Sequence, residues 1–253
     1  MKIILSPAKS LDFDNAPLIK DSADPKFIQD SQNLVNKLKK LSSEKIKSLM
    51  GVSDAIAALN VQRFSNWNYP FKEGQAKPAA YVFTGEAYRG LDVNSLSEEE
   101  VKRLDESLRI LSGLYGLIKP TDNILPYRLE MGTRYAFTPA KTNLYKYWGS
   151  RLTEALASEM DENEILVNVA SNEYNKAIDF KKLNRRVVTC HFKENREGEY
   201  KAIMTFAKRA RGLMTRYIVQ NNIQKVEDLK GFNLENYFFK EDLSSENELT
   251  FVR

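Results

Sequence analysis

Apolar positions follow two different periods along the chain. Lys2 to Leu5 is a short apolar run ending at Ser6-Pro7-Ala8-Lys9, where the proline cannot continue a central ladder, and it predicts a short buried strand. Asp24-Pro25 has the form of an N-cap with proline at the first helical position. Phe27, Leu34, Val35, Leu38 and Leu41 then share one face, which predicts a helix over about 25–41. Ala80-Tyr81-Val82-Phe83 predicts a second strand that stops at Thr84-Gly85-Glu86. Ser97 with Glu100 forms a capping box, opening a helix with apolar positions at Val101, Leu104, Leu108 and Leu111. Ile165 to Ala170 is apolar on both faces, as an interior strand is, and ends at Ser171-Asn172-Glu173-Tyr174. A further strand is predicted over Arg186–Phe192, a helix over Met204–Gln220 and a terminal hairpin over Tyr237–Val252. Strands and helices mix throughout, without a repeat or a linker. The expected fold is therefore α/β (mixed α+β), a single domain over 1–253 with a central mixed sheet and surrounding helices.

Composition narrows the chemistry. With 42% hydrophobic and 28% charged residues in 253, and a mean hydropathy of -0.48, the chain has the profile of a soluble globular protein. His191 and Cys190 are its only histidine and cysteine, so no histidine-rich or Cys-based zinc site and no intramolecular disulfide can form. Neither a metal nor a cofactor is expected. The longest apolar stretches fall far short of the roughly 20 residues that cross a bilayer, so no membrane partner is expected. The N-terminus lacks the form of a secretory signal and the cysteine is unpaired, so the reducing cytoplasm is the expected compartment. The net charge of +4, from 38 basic and 34 acidic residues, does not by itself announce a nucleic-acid binder; what matters is where the charges lie.

Three predicted strands end in small or polar residues, at Ser6–Lys9, Thr84–Glu86 and Ser171–Glu173. If these strands are parallel neighbours, their ends converge where open α/β folds place ligands. Alternatively, they are polar only because strands end at the surface. Residues 112–137 hold glycines and prolines without a clear period and predict a long, ordered, non-regular segment. Within it, an Arg128-Glu130 pair either pins the loop or takes part in catalysis. On the helix after Met204, Arg209 and Arg216 border one edge of the apolar stripe, while Lys208 and Arg211 border the other. These charges are either a solvated rim or the basic wall of an anion cleft, with Ala207, Ala210 and Gly212 permitting close backbone approach. Residues 42–63 read as two helices joined by a tight turn at Met50-Gly51-Val52, the second capped by Ser53. They resemble a helix-hairpin-helix, in which backbone N–H groups meet a nucleic-acid phosphate. Only Gly51 is glycine there, and an ordinary helical hairpin filling the core is the alternative.

Ser6-Pro7-Ala8-Lys9, Leu111–Gly116, Pro126-Tyr127-Arg128-Leu129-Glu130-Met131-Gly132, Ala170–Tyr174 and Ala207–Met214, in this order, resemble the YaaA family of peroxide-stress proteins from Met1 to about Phe251. The resemblance implies a cytoplasmic bacterial protein that helps cells withstand hydrogen peroxide, with lower free iron and less oxidative DNA damage. It further implies an unusual α/β fold with a helix-hairpin-helix beside a positively charged cleft, and binding to double-stranded nucleic acid. The hairpin from Leu49 through Gly51 to Ser53 becomes the favoured phosphate contact. Lys9, Arg128, Glu130, Glu173, Lys208 and Arg211 become the favoured cleft residues, with Arg209 standing where the family would have lysine and Asn172 where aspartate can occur.

Two functions follow as expectations. The first is peroxide protection through non-specific binding of double-stranded DNA, or of duplex RNA, with Leu49, Gly51, Ser53, Lys9, Arg128, Lys208, Arg209 and Arg211 as contacts and no obligate protein partner. The second is an enzyme acting on a nucleobase or small anionic substrate, with Lys9, Glu130 and Glu173 as candidate catalytic groups. Direct iron storage is disfavoured, because no Glu-x-x-His pair is present.

Overall fold

The structure, a computed structural model, describes residues 1–17 and 22–253. In chain order the elements begin with β1 (Lys2–Leu5), α1 (Ile28–Leu38), α2 (Ser43–Met50), α3 (Asp54–Asn66), β2 (Lys77–Pro78), α4 (Ala79–Val82) and α5 (Glu86–Leu91). Next come α6 (Glu98–Ser107), β3 (Leu108–Ser112), β4 (Gly116–Ile118), β5 (Asn123–Ile124), α7 (Leu144–Trp148), α8 (Arg151–Ser158), β6 (Leu166–Asn168), α9 (Asn172–Asn175) and α10 (Phe180–Leu183). The chain closes with β7 (Val187–Arg196), β8 (Glu199–Lys201), α11 (Met204–Gln220), α12 (Val226–Leu229), β9 (Phe238–Phe239) and β10 (Glu248–Val252).

Eight strands form the central mixed sheet in the order β4-β3-β1-β6-β7-β10-β9, with β8 paired to β7. β3, β1, β6, β7 and β10 run parallel, in a register that sets Leu5 beside Ile110 and Ile4 beside Asn168; β4, β8 and β9 are antiparallel additions. β1 and β6 are buried along most of their length, as central parallel strands covered on both faces must be. α6 packs on β1 and β3, and α11 packs on β7, α6 and α5. No helix among the described residues is long and apolar enough to cross a membrane.

α11 spans the predicted Met204–Gln220, and the Ser97 capping box opens α6. The tail forms the expected antiparallel pair of β9 and β10, and residues 42–63 form the expected helical hairpin. Other expectations need correction. Ala80–Phe83 lies largely in α4, not in a strand, because Pro78 turns the chain and the N–H groups of Ala79 and Ala80 bond to Asp122 O and Pro120 O at 2.9 Å. A short apolar run cannot by itself distinguish the two periods. Leu108 and Leu111 are not in the capping-box helix. α6 stops at Ser107 and the chain passes directly into β3, whose five residues are all buried. Asp24 does not cap α1. Its carboxylate accepts from the Tyr69 hydroxyl at 2.8 Å, Pro25 forms a turn, and the helix begins at Ile28. Residues 112–137 contain two short strands, but from Leu125 onward they are irregular and tightly held. The Tyr115 hydroxyl accepts from Leu125 N at 2.9 Å and from Trp67 Nε1 at 2.8 Å.

Candidate nucleic-acid interface

β3, β1 and β6 are adjacent and parallel, so their carboxyl ends set Ser112, Ser6 and Ser171 side by side. Ser171 N donates to Ser6 Oγ at 2.9 Å, and the Ser112 and Tyr127 hydroxyls share a 2.7 Å hydrogen bond. The Tyr88 hydroxyl donates to Ser6 O at 3.1 Å. Thr84 and Gly85 reach the same edge from the loop between α4 and α5. Thr84 N bonds Ser10 O at 3.1 Å, and a Cβ on Gly85 would stand 2.9 Å from that of Ala8. Of the three predicted strand ends, those after β1 and β6 converge as strand ends, Thr84–Glu86 arrives as a loop, and the end of β3 joins them.

Above this floor, Glu130 bridges two cations: Lys9 Nζ is 2.7 Å from Oε2 and Arg128 Nη2 is 2.9 Å from Oε1. Arg128 is mostly buried, and its Nε has no partner among the described residues. Glu173 Oε1 accepts from Gly132 N at 2.9 Å, and the Tyr145 hydroxyl donates to Glu173 O at 2.8 Å. Glu130 thus uses both carboxylate oxygens, and Glu173 one, to fix neighbouring groups.

A cavity of about 810 Å³ opens here. One wall carries Lys45, Leu49 and Gly51 of the helical hairpin; the other carries Glu130, Arg134 and Glu173. The hairpin follows from local chemistry. Ser42 caps α2, Gly51 takes the left-handed conformation that ends it (φ 60°), and Ser53 Oγ caps α3 through Ile56 N. The N–H groups of Gly51 and Val52 both turn back to Lys47 O. Among the described residues, the N–H groups of Asp54 and Ala55 in the first turn of α3 have no acceptor. Lys47 and Asp54 pair at 2.9 Å across the turn.

α11 divides the predicted basic wall. Arg209 Nε is held by Glu235 Oε1 at 2.5 Å. Arg216 Nη1 donates to Leu91 O and Asp92 O at 3.0 Å, and so holds the end of α5. Lys208 is exposed, whereas Arg211 is largely buried and its pKa is lowered by desolvation; neither has an ion-pair partner among the described residues. Gly212 does permit close approach, but to α5. Of the residues expected from the sequence, the cavity brings together Leu49, Gly51, Glu130 and Glu173, with Lys9 and Arg128 tied to it through Glu130. Ser53 stands at the base of the turn. Lys208, Arg209 and Arg211 are not among the residues lining it. Lys45 and Arg134, both exposed cations on its walls, escape sequence reasoning. The only signal for Arg134 is its place beside Tyr135 in the irregular segment, and Lys45 resembles any solvated helix lysine.

The model of a family described as peroxide stress protein YaaA matches residues 1–243. Among curated relatives, a UPF0246 protein of Shewanella baltica is 47% identical over 255 residues, covering 100% of this chain and 99% of its own. A UPF0246 protein of Shewanella woodyi is 46% identical with the same coverage.

Proposed function

Because this chain belongs to the peroxide stress protein YaaA family, we propose that it serves peroxide resistance by binding duplex nucleic acid, DNA first and duplex RNA as the alternative, through phosphate contacts at the cleft beside the helical hairpin. The observation that carries this reading is the juxtaposition, across one open cavity, of Gly51 and Lys45 with Arg134. Behind them Lys9 and Arg128 are held in place by Glu130. Two N–H groups at a helix start, together with point cations, suit phosphate oxygens and carry no base readout. Lys208, exposed on α11 but outside the cavity lining, is a further contact in this reading, whereas Arg211 is largely buried.

Protection follows from shielding the duplex, and free iron is lowered indirectly. The action is placed in the cytoplasm. Direct peroxide chemistry at Cys190 has no support, because burial pushes its thiol up to about 12 and the thiolate is the reactive form. The tethered state of Glu130 and Glu173 favours a positioning role for both over acid–base catalysis.

Replacing Lys45 and Arg134 together by alanine is expected to weaken binding by a similar factor for unrelated duplexes. The slope of log K against log salt should become shallower by about 0.9 for each phosphate that the variant no longer neutralises. Fluorescence anisotropy with several duplex sequences reads both quantities. Unchanged affinity, or a loss confined to one sequence, would contradict the assignment.

A further inference from the structure

A second cavity, of about 700 Å³, lies on the other side of the hairpin, between residues 11–15, the C-terminal half of α3 and Leu125-Pro126. Its wall combines Phe13, Leu11 and Pro126 with the amide residues Asn66 and Gln75 and with Arg63, the single cation among the described lining residues. Arg63 is half-buried and has no hydrogen-bonded or ion-paired carboxylate among the described residues. Burial lowers its pKa, and the nearby Arg128 guanidinium lowers it further. Arg128 in turn gives one nitrogen to Glu130 and leaves Nε without a partner. Glu130 is already shared with Lys9. Among the described residues, Arg63 thus lies beside Arg128 without a bonded carboxylate of its own, and Glu130, the carboxylate bonded to Arg128, is already engaged by two cations.

The acidic groups of the cavity do not supply that carboxylate to Arg63. Asp12 accepts from the N–H groups of Asp14 and Asn15 at 3.0 Å and from the Asn15 amide at 2.7 Å, while Asp14 is exposed. A cavity of this size with an aromatic face, amide edges and one unpartnered guanidinium matches a planar heteroaromatic ring that carries a phosphate. We propose that this cavity binds a single nucleotide unit, its phosphate on Arg63 and its base between Phe13 and the amides of Asn66 and Gln75. The unit is either a free mononucleotide or an unpaired nucleotide of a bound strand. The site has its own walls, so its test does not depend on the duplex contacts proposed above.

Isothermal titration with AMP, GMP, CMP and UMP, with inorganic phosphate and ribose 5-phosphate alongside, tests the free form. A blunt duplex compared with the same duplex carrying one unpaired nucleotide tests the strand-borne form. Saturable one-to-one binding of at least one mononucleotide, or tighter binding of the bulged than of the blunt duplex, is expected. Arg63→Ala should weaken that binding by about tenfold or more. Asn66→Asp, at an exposed position that sets a carboxylate in the same wall, should weaken it as well while preserving the fold. Binding of mononucleotides alone assigns the free form; a bulge preference alone assigns the strand-borne form. Three outcomes would overturn the proposal: no mononucleotide binding together with no bulge preference, binding that neither variant alters, or phosphate and ribose 5-phosphate binding as tightly as the nucleotides.

Discussion

Gly212→Ala is expected to destabilise the protein by about 3 kcal/mol or more, at or above the upper end of ordinary overpacking. Gly212 lies inside α11 where α5 crosses it, and a Cβ there would stand 1.7 Å from Ala87 O and 2.8 Å from Leu91 N. On the facing helix a Cβ at Gly90 would stand 2.3 Å from Arg209 O. Both obstacles are backbone, so no side-chain rotation relieves them and the helices must separate. Separation would also pull Leu91 O and Asp92 O away from Arg216. The sign of the effect is diagnostic. By helix propensity alone, Gly→Ala in a helix interior stabilises by about 1 kcal/mol. Urea unfolding of the variant should therefore show a lower midpoint, and an equal or higher midpoint would contradict the close crossing of α5 and α11.

Asp122→Asn is expected to stabilise the protein above neutral pH and to flatten part of its pH dependence. The Asp122 carboxyl is pushed up to about 7 by burial, with Asp105 adding like charge. Its bond from Lys119 N, at 2.9 Å, and the charges of Lys119 and Arg109 oppose the shift. The folded state therefore holds this proton more tightly than the unfolded chain, where the group titrates near 3.8. Its stabilising contribution is complete below about pH 4, declines as pH rises, and is lost once pH passes about 7. Roughly three pH units at about 1.4 kcal/mol each set an upper bound near 4 kcal/mol. Relaxation around the charge makes about 1–3 kcal/mol the expected gain for the amide at about pH 8. Asparagine keeps an acceptor for Lys119 N and removes the charge. Other carboxylates oppose this trend; Glu159, for example, is held below its usual range beside Arg109. The quantity to read is thus the difference between wild type and variant in urea midpoints at about pH 5 and about pH 8. Parallel curves would contradict the burial assigned to Asp122.

Much of this architecture is legible in the sequence because its signals are local. Ser97 and Glu100 bond each other reciprocally at the start of α6, so the motif alone fixes that end. α11 carries a stripe long enough to establish its period, and the hairpin of α2 and α3 is bounded by Ser42, Gly51 and Ser53. Where the signal is tertiary, the reading fails. Leu104, Leu108 and Leu111 continue a helical spacing past Ser107, yet pairing of Leu108 with β1 and of Leu111 with β4 makes the last two strand residues. Ala80–Phe83 is short enough to fit either period, and the carbonyls of Pro120 and Asp122 decide for a helical turn. At the site, Glu130 meets Arg128 from its own block and Lys9 from the distant block at Ser6–Lys9, a meeting that only the fold brings about. No spacing could show that Glu235 engages Arg209 or that α5 binds Arg216, since both partners lie outside α11. Lys45 and Arg63 lie on helices with ordinary amphipathic spacing, and only the tertiary arrangement sets one on a cleft and the other beside Arg128.

The central claim is a cleft that binds duplex phosphates, and the salt dependence of duplex affinity tests it most directly. Titrating the 253-residue chain against one short blunt duplex between about 50 and 200 mM salt should give log K falling linearly with log salt, with a slope of about -0.9 for each phosphate neutralised. Lys45 and Arg134, on the two walls of the cavity, are the proposed phosphate contacts whose loss the slope would register. A duplex affinity that does not change with salt, or no binding at the lowest salt, would contradict it.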